Sequence, residues 1–334
     1  MKFIKPDYYK NILDLPRTQM AIKLLKDNFE NYLSKDLHLT RVSAPLFVER
    51  SSGLNDNLTG VESPVKFVAE HIEEGLEIVH SLAKWKRAAL KQYGMAVSEG
   101  IYADMNAIRK NEELSNMHSI YVDQWDWELV ISEKDRNIEF LENIVTKIYN
   151  VFLKTEELVL SRFPELERQL PEGLTIISTQ ELEDMYPNLS SSEREYEITK
   201  EKKAIFLTGV GKALKSGKKH ENRAPDYDDW NLNGDFIFWS RVLNCPIELS
   251  SMGIRVNSEV MLSQLEEASA KDRLKYTYHK QLIEGELPQT VGGGIGQSRL
   301  CMFFLQKAHI GEVQVSSWSS DMKKACSESG ITLL

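Results

Sequence analysis

A chain of 334 residues can bury a large core, as one big domain or two ordinary ones. With 42% hydrophobic and 27% charged residues it has the balance of a soluble globular protein. Its net charge of −9 argues against non-specific nucleic-acid binding, which needs a basic face to release phosphate counterions. Cys245, Cys301 and Cys326 form no C-x-x-C, so they are neither a disulfide framework nor a metal motif. No apolar run approaches a membrane span, and the first ten residues lack the apolar centre of a signal peptide. The expectation is a cytoplasmic protein with no membrane partner.

Pro16 to Leu33 reads as a helix, because Ile22, Leu25, Phe29 and Leu33 recur at helical spacing. Leu39 to Val48 is β-like, and Pro45 restricts it to an edge or a bulge. Ser52 to Gly60 is a loop by composition, with Asp56 in its middle, where an aspartate is by default a turn former. Leu76 to Val79 is a short strand. His80 then opens a helix, with Ser81 near the N-cap and Lys84, Lys86 and Arg87 following. Three cations and a tryptophan in one turn make either a solvated face or an anion site.

Gly100 to Arg109 leads to Arg109-Lys-Asn-Glu-Glu113 and then to Tyr121–Glu128. On a strand, Asp123, Trp125 and Trp127 face one way, and Gln124, Asp126 and Glu128 the other. The tryptophans suggest burial, and buried carboxylates need partners, of which a cationic or amine-bearing ligand is one kind. Asp135 to Phe163 is the clearest helix, with one apolar face that reads as scaffold. Leu174 to Ser178 is a strand, Gln180 to Tyr186 a short helix, and Ser190 to Lys203 a polar helix.

Ala204 to Gly211 is a strand ending in glycines, but the residues around Gly211 and Lys212 do not complete a P-loop. Lys212 to Lys219 is a basic Ser/Gly-containing loop, mobile by composition. Arg223 to Trp230 packs three carboxylates beside an arginine, as an N-cap cluster or an acidic metal neighbourhood. Asn233-Gly-Asp235 reads as a turn and Phe236 to Trp239 as a buried strand. Ile247 to Val256 is the next strand, with Glu248 and Ser250 on the face opposite Ile247 and Leu249. Val260 to Glu284 is helical, and Pro288 to Val291 is a strand.

That strand feeds Gly292-Gly-Gly-Ile-Gly-Gln-Ser-Arg299 and an apolar run from Leu300 to Leu305. Four glycines in five positions let the backbone come close to something bulky. The helix should begin near Gln297 or Ser298, with free N–H groups that favour an anion. Arg299 falls in the first turn, where helix electrostatics prefer acids, so a cation there suggests a job. A dinucleotide fingerprint does not fit, because it needs glycine at Gln297.

The glycine stretch with Arg299 resembles motif 3 of the class II aminoacyl-tRNA synthetases. Arg109, Glu112 and the Tyr121–Glu128 strand resemble motif 2, and the helix and strand around Pro45 resemble motif 1. In combination the chain looks like the ammonia-dependent asparagine synthetase (aspartate–ammonia ligase) family, a relative of the aspartyl- and asparaginyl-tRNA synthetase core, from about Met20 onward. The short turn at Trp230 to Asn233 and the Lys5–Tyr9 extension depart from the pattern.

The resemblance implies an α+β fold: a class II synthetase-like core, an antiparallel sheet flanked by helices, as one catalytic domain over residues 1–334 and a homodimer. It implies ATP-dependent synthesis of L-asparagine from L-aspartate and ammonia through a β-aspartyl-adenylate, releasing AMP and pyrophosphate. Arg109 and Arg299 would grip the α- and γ-phosphates of ATP, with Glu112 near adenine. Asp235 and Glu248 would hold Mg²⁺. Lys86 and Arg255 would clamp the substrate α-carboxylate, Asp126 its ammonium, and Gln124 would lie near the reacting end. Ser81, Ser250 and Ser251 complete the substrate-binding set. Asp56 would receive ammonium and take its proton. Glutamine dependence is not expected, since position 2 is Lys2 and not a cysteine.

Two rivals are open on the sequence. One is an aspartyl- or asparaginyl-tRNA synthetase-like enzyme, disfavoured by the little chain before Leu39 and by the acidic balance. The other is a non-catalytic paralogue, disfavoured by the presence of Arg109, Glu112, Glu248 and Arg299.

Overall fold

Apolar periodicity on two long helices and two-residue alternation on one strand decide how the chain is layered. The computed structural model describes residues 2–56, 58 and 62–334. The loop expected from Ser52 to Gly60 therefore lies partly outside the described residues.

In chain order the elements begin with α1 (Leu15–Leu37), β1 (Leu39–Arg41), β2 (Phe47–Glu49), β3 (Lys66–Ala69), β4 (Ile72–Ile78) and α2 (Ala83–Tyr93). Then come β5 (Gly100–Ile108), β6 (Tyr121–Val130), α3 (Ile138–Arg162), β7 (Thr175–Ser178), α4 (Thr179–Met185) and α5 (Ser191–Lys202). The third group is β8 (Ala204–Thr208), β9 (Asp228–Ser240), β10 (Cys245–Arg255), α6 (Ser258–Glu267) and α7 (Thr277–Ile283). The chain closes with β11 (Thr290–Gly296), α8 (Gln297–Phe304) and α9 (Ser320–Glu328).

Eight strands form one sheet in the order β1-β5-β6-β11-β10-β9-β8-β7. Its inner pairs are antiparallel, and the two outermost pairs, β1 with β5 and β7 with β8, are parallel. A smaller sheet holds β2, β4 and β3. The expected α+β architecture, with a largely antiparallel sheet flanked by helices, is what the chain adopts. One face of the large sheet carries the main core, where Phe29 of α1, Trp125 of β6, Phe152 of α3 and Phe238 of β9 meet. Phe29 stacks on Trp125 with ring centroids 4.8 Å apart, and Phe152 sits edge-on to Phe238 at 5.2 Å.

Four sequence expectations change. The stretch from Leu39 to Val48 is two strands in two different sheets, with Pro45 between them. Both turns expected between Trp230 and Asp235 lie inside β9, which pairs continuously with β8 through Asp235 and Gly234. The turn-forming residue Asn233 is used instead as a clasp: its side chain accepts from Val210 N–H at 2.9 Å and donates to Val210 C=O at 2.8 Å. The helical stretch from Val260 to Glu284 is divided, with a 3-10 turn at Lys271–Lys275 between α6 and α7. The basic loop at 212–219 is closed as a hairpin, with Ala213 bridged to Lys219. Lys215 reaches Asp184 at 2.7 Å and Ser216 reaches Glu183 at 2.7 Å, so its hydrogen bonds hold it against α4.

Among the described residues no helix is long and apolar enough to cross a membrane. All three cysteines are free.

Candidate active site

The face of the sheet opposite the tryptophans walls a cavity of about 360 Å³. On β6 Trp125 and Trp127 go to the core and Gln124 and Asp126 line the cavity, as expected, but Asp123, expected beside the tryptophans, also lines it. The neighbouring strand β11 is paired so that Gly292 lies opposite Glu128, and Gly294 opposite Asp126. Neither glycine has a left-handed φ, so their use is space. A Cβ on Gly292 would overlap the Glu128 carboxylate and approach Arg255 to 2.7 Å. One on Gly294 would come within 2.6 Å of the Gln124 amide oxygen. The bulky thing these glycines admit is the protein's own polar side chains.

From the loop before β3 and from α2 and its entry, the cavity takes Asp56, Ser81 and Lys86. From β5 and the turn after it come Arg109 and Glu112; from β10, Glu248, Ser250, Ser251 and Arg255; from α8, Arg299. Asp235 alone of the expected site residues is not on the wall; it stands behind Ser251 and Arg223. The helix α8 begins at Gln297 after an N-cap at Gly296, as expected.

Lys84, Lys86 and Arg87 at the start of α2 are buried, which excludes the solvated-face reading. Lys84 pairs with Asp226 at 3.3 Å, and Arg87 donates to the carbonyls of Pro288 and Val256. Lys86 pairs with Asp126 and donates to Gly293 C=O at 2.8 Å. Burial pushes the Lys86 ammonium below its ordinary value, against the pull of Asp126 and Glu128. The second oxygen of Asp126, Oδ2, is buried without a hydrogen-bond partner, and so is Ser250 Oγ. An orphaned buried acceptor is costly unless something donates to it.

Arg255 is held between two carboxylates, Glu128 on one side and Asp228 on the other. Its Nε donates to Glu128 at 3.0 Å and its Nη2 at 2.8 Å; Glu128 also accepts from Thr290 at 2.7 Å. Burial disfavours charge on Glu128, but Arg255 and Lys86 hold its carboxyl below the usual range. Arg109 and Arg299 differ. The contacts that hold them are to backbone carbonyls: Arg109 to His80 at 3.2 Å, Arg299 to Met117 at 3.3 Å and to Glu248 at 2.9 Å. Both guanidiniums face the cavity, with Glu112 as the neighbouring carboxylate of each and Glu248 as a second for Arg299.

The serines divide by role. Ser81, next to the N-cap Leu82 as expected, accepts from Ala83 N–H at 3.4 Å and donates through its Oγ to Asp56 Oδ2 at 2.8 Å. Ser251 Oγ bridges the two expected metal carboxylates, 2.6 Å from Asp235 and 3.2 Å from Glu248. Arg223 also donates to Asp235, at 2.6 Å. Burial and the neighbouring Glu248 push Asp235 up to about 6, against Arg223. Burial likewise disfavours charge on Glu248, but Arg299 and Arg223 hold it below its usual value. Among the described residues no three acids, histidines or cysteines form a group that could hold a metal alone. Glu248, open to the lumen, fits a hard cation whose remaining ligands are phosphate oxygens, whereas Asp235 is paired with Arg223 behind it.

The Arg223–Trp230 cluster is neither an N-cap nor a metal nest. Asp226 sits among Lys84, Arg273 and His279, Asp228 pairs with Arg255, and Asp229 pairs with Arg136. Sequence reasoning missed Arg223, Tyr227 and Asp228 as cavity residues, and also His118. Burial and Arg299 push His118 down to about 4, so it is neutral at pH 7. No residue of the 212–219 hairpin is on the wall.

Comparison with known proteins bears on this cavity. The family description aspartate–ammonia ligase matches residues 16–330. An aspartate–ammonia ligase of Clostridium tetani is 58% identical over 334 residues, covering 100% of this chain and 98% of its own. One from Ruminiclostridium cellulolyticum is 57% identical over 332 residues, covering 99% of each chain. In three dimensions the chain resembles Entamoeba histolytica asparaginyl-tRNA synthetase in complex with asparaginyl-adenylate, with a TM-score of 0.62 at 16% identity. The match covers 89% of this chain and spans 66% of the synthetase. The fold is thus that of the class II synthetase core.

Proposed function

Because the chain belongs to the aspartate–ammonia ligase family, which makes asparagine from aspartate and ammonia, we propose that its cavity does so by adenylating the β-carboxylate with ATP. The observation that carries this reading is the pair Arg109 and Arg299, both on the cavity wall and, among the described residues, hydrogen-bonded to carbonyl oxygens. A carboxylate is a poor electrophile, and transfer to phosphorus is mostly positioning and charge neutralisation. Arg109 would take the α-phosphate and Arg299 the γ-phosphate, with Glu112 near the adenine.

Aspartate enters as a zwitterion and exchanges with the Lys86–Asp126 pair. Its ammonium meets Asp126, whose orphaned Oδ2 supports that role, and its α-carboxylate meets Lys86, Arg255 and Ser250. The β-carboxylate then points toward Gln124 and the α-phosphate. A β-carboxylate oxygen attacks the α-phosphorus and displaces pyrophosphate. The ammonia nitrogen attacks the β-carbonyl and displaces AMP, with Asp56 as the general base on that nitrogen. Glu248 would hold Mg²⁺, which supplies charge neutralisation for phosphate oxygens, and Asp235 would join it on exchanging its Arg223 partner. Residues 1–334 are read as one catalytic unit, without nucleic acid as a partner.

The test is AMP release from Mg²⁺–ATP and aspartate, with ammonium, with glutamine or with neither. AMP and asparagine together, only with ammonium, are expected. ADP in place of AMP would remove the roles given to Arg109 and Arg299. The same reading makes a homodimer through α1 and β1, so light scattering should give twice the chain mass; a monomer at assay concentration would remove that part.

A further inference from the structure

Beside the main cavity lies a second one of about 70 Å³, lined by Leu58, Glu62, His80, Arg109, Asn111 and Glu112. Four of these, Leu58, Glu62, Arg109 and Glu112, also line the main cavity, so the chambers share a wall. The small chamber has room for a few water-sized molecules and none for a nucleotide. Its lining sets two carboxylates, Glu62 and Glu112, beside the Arg109 guanidinium and the His80 imidazole.

His80 is its least exposed member, at 1%. The His80 Nδ1 lies 3.1 Å from the backbone carbonyl of Asp56. A carbonyl only accepts, so Nδ1 carries the proton and the neutral ring keeps its lone pair on Nε2. Burial pushes the imidazole below its ordinary value, and Arg109 adds to this, while Asp56 and Glu62 pull the other way. The ring is therefore neutral at pH 7, an available base in a chamber that also presents Glu112.

The chemistry asks for such a group. Ammonium, the abundant form at neutral pH, has no lone pair. To become an amide nitrogen it must lose two protons, one before attack and one as the C–N bond forms. Asp56 can hold only one of them.

We propose that the second cavity is the ammonium site and that His80 Nε2 takes the first of these protons. Ammonium and neutral imidazole give ammonia and imidazolium. Ammonia passes the shared wall and attacks the β-aspartyl adenylate; the C–N bond forms and the C–O bond to AMP breaks. The electron pair leaves on the phosphate oxygen, and the second proton goes to Asp56. This rests on the adenylation reading above and deepens it by naming the site and state in which the nitrogen arrives.

His80→Asn keeps a side-chain donor for the Asp56 carbonyl and removes the base. Three readouts are compared at pH 7: aspartate-dependent pyrophosphate exchange, asparagine formation from ammonium, and hydroxamate formation from hydroxylamine. Hydroxylamine is already neutral and needs no first deprotonation. The variant should lose about 10²-fold with ammonium and stay within about twofold on the other two. Raising the pH should restore its ammonium reaction as free ammonia becomes abundant. Equal loss with both nucleophiles, or no loss with ammonium, overturns the proposal. Absence of exchange in the unaltered protein would strike the adenylation reading instead.

Should the variant not fold, the unaltered protein decides. Its rate ratio of ammonium to hydroxylamine should be flat from pH 8 to pH 7, where burial keeps His80 neutral. A decline of about tenfold from pH 8 to pH 7 would mean that free ammonia is the substrate, and would overturn the proposal.

Discussion

Asp56→Asn should leave aspartate-dependent pyrophosphate exchange near the wild-type rate and lower asparagine formation by about 10²–10⁴-fold. The geometry makes the substitution mild in every respect but one. Asp56 Oδ1 accepts from Leu58 N–H at 2.8 Å, and Oδ2 accepts from Ser81 Oγ at 2.8 Å. An asparagine amide oxygen can replace Oδ1, and its amine can donate to the Ser81 hydroxyl, whose proton is free to rotate. Shape and hydrogen bonding survive, and the ability to accept a proton does not. The adenylating groups, Arg109 and Arg299, hang from other residues. Measuring both half-reactions on one preparation separates the cases: equal loss of exchange and asparagine would make Asp56 a part of the aspartate or ATP site and not a base.

Gly292→Ala should cost about 3 kcal/mol of stability or more, measured by urea denaturation. The added methyl would fall on the Glu128 carboxylate and within 2.7 Å of Arg255. Crowding in a packed interior alone costs about 1–3 kcal/mol. Here the crowded group is one half of a fully buried ion pair, and separating such a pair costs about 3–5 kcal/mol because a charge is left uncompensated. The backbone contributes nothing to this, since Gly292 has no left-handed φ. The damage should reach the chemistry as well, because Arg255 lines the cavity. A loss under about 1 kcal/mol would mean that Glu128 has somewhere to move, and that the pair is held less tightly than its hydrogen bonds imply.

Much of the cavity was legible before any coordinates. The resemblance to the class II core names Arg109, Gln124, Asp126, Ser250, Arg255 and Arg299, and all six line one cavity; local period by itself sets only Gln124 and Asp126 on one face of their strand. What was not legible depends on partners distant in sequence. That Arg255 is clamped by Glu128 and Asp228 follows from strand order, and no local pattern contains it. Asn233 carries a turn signal that is overridden by a bond to Val210 on the chain following β8. The sequence marks His80 only as the opening of a helix, and its imidazole acquires meaning from the Asp56 carbonyl. The resemblance names Asp235 as a Mg²⁺ ligand, but Ser251 and Arg223 stand between it and the lumen.

The two-sided strand β6 has a consequence for descent. Its odd-numbered tryptophans belong to the core and its even-numbered Gln124 and Asp126 to the cavity. Gain or loss of a single codon between Tyr121 and Val130 would turn every side chain beyond it to the opposite face. Tryptophans would enter the cavity and carboxylates the core, so one accident would remove both stability and chemistry. A lineage can therefore exchange residues along this strand one at a time, but it cannot change their number. Length variation has to be taken up in the turns on either side, and the spacing from Gln124 to Glu128 should be inherited more faithfully than the residues around it.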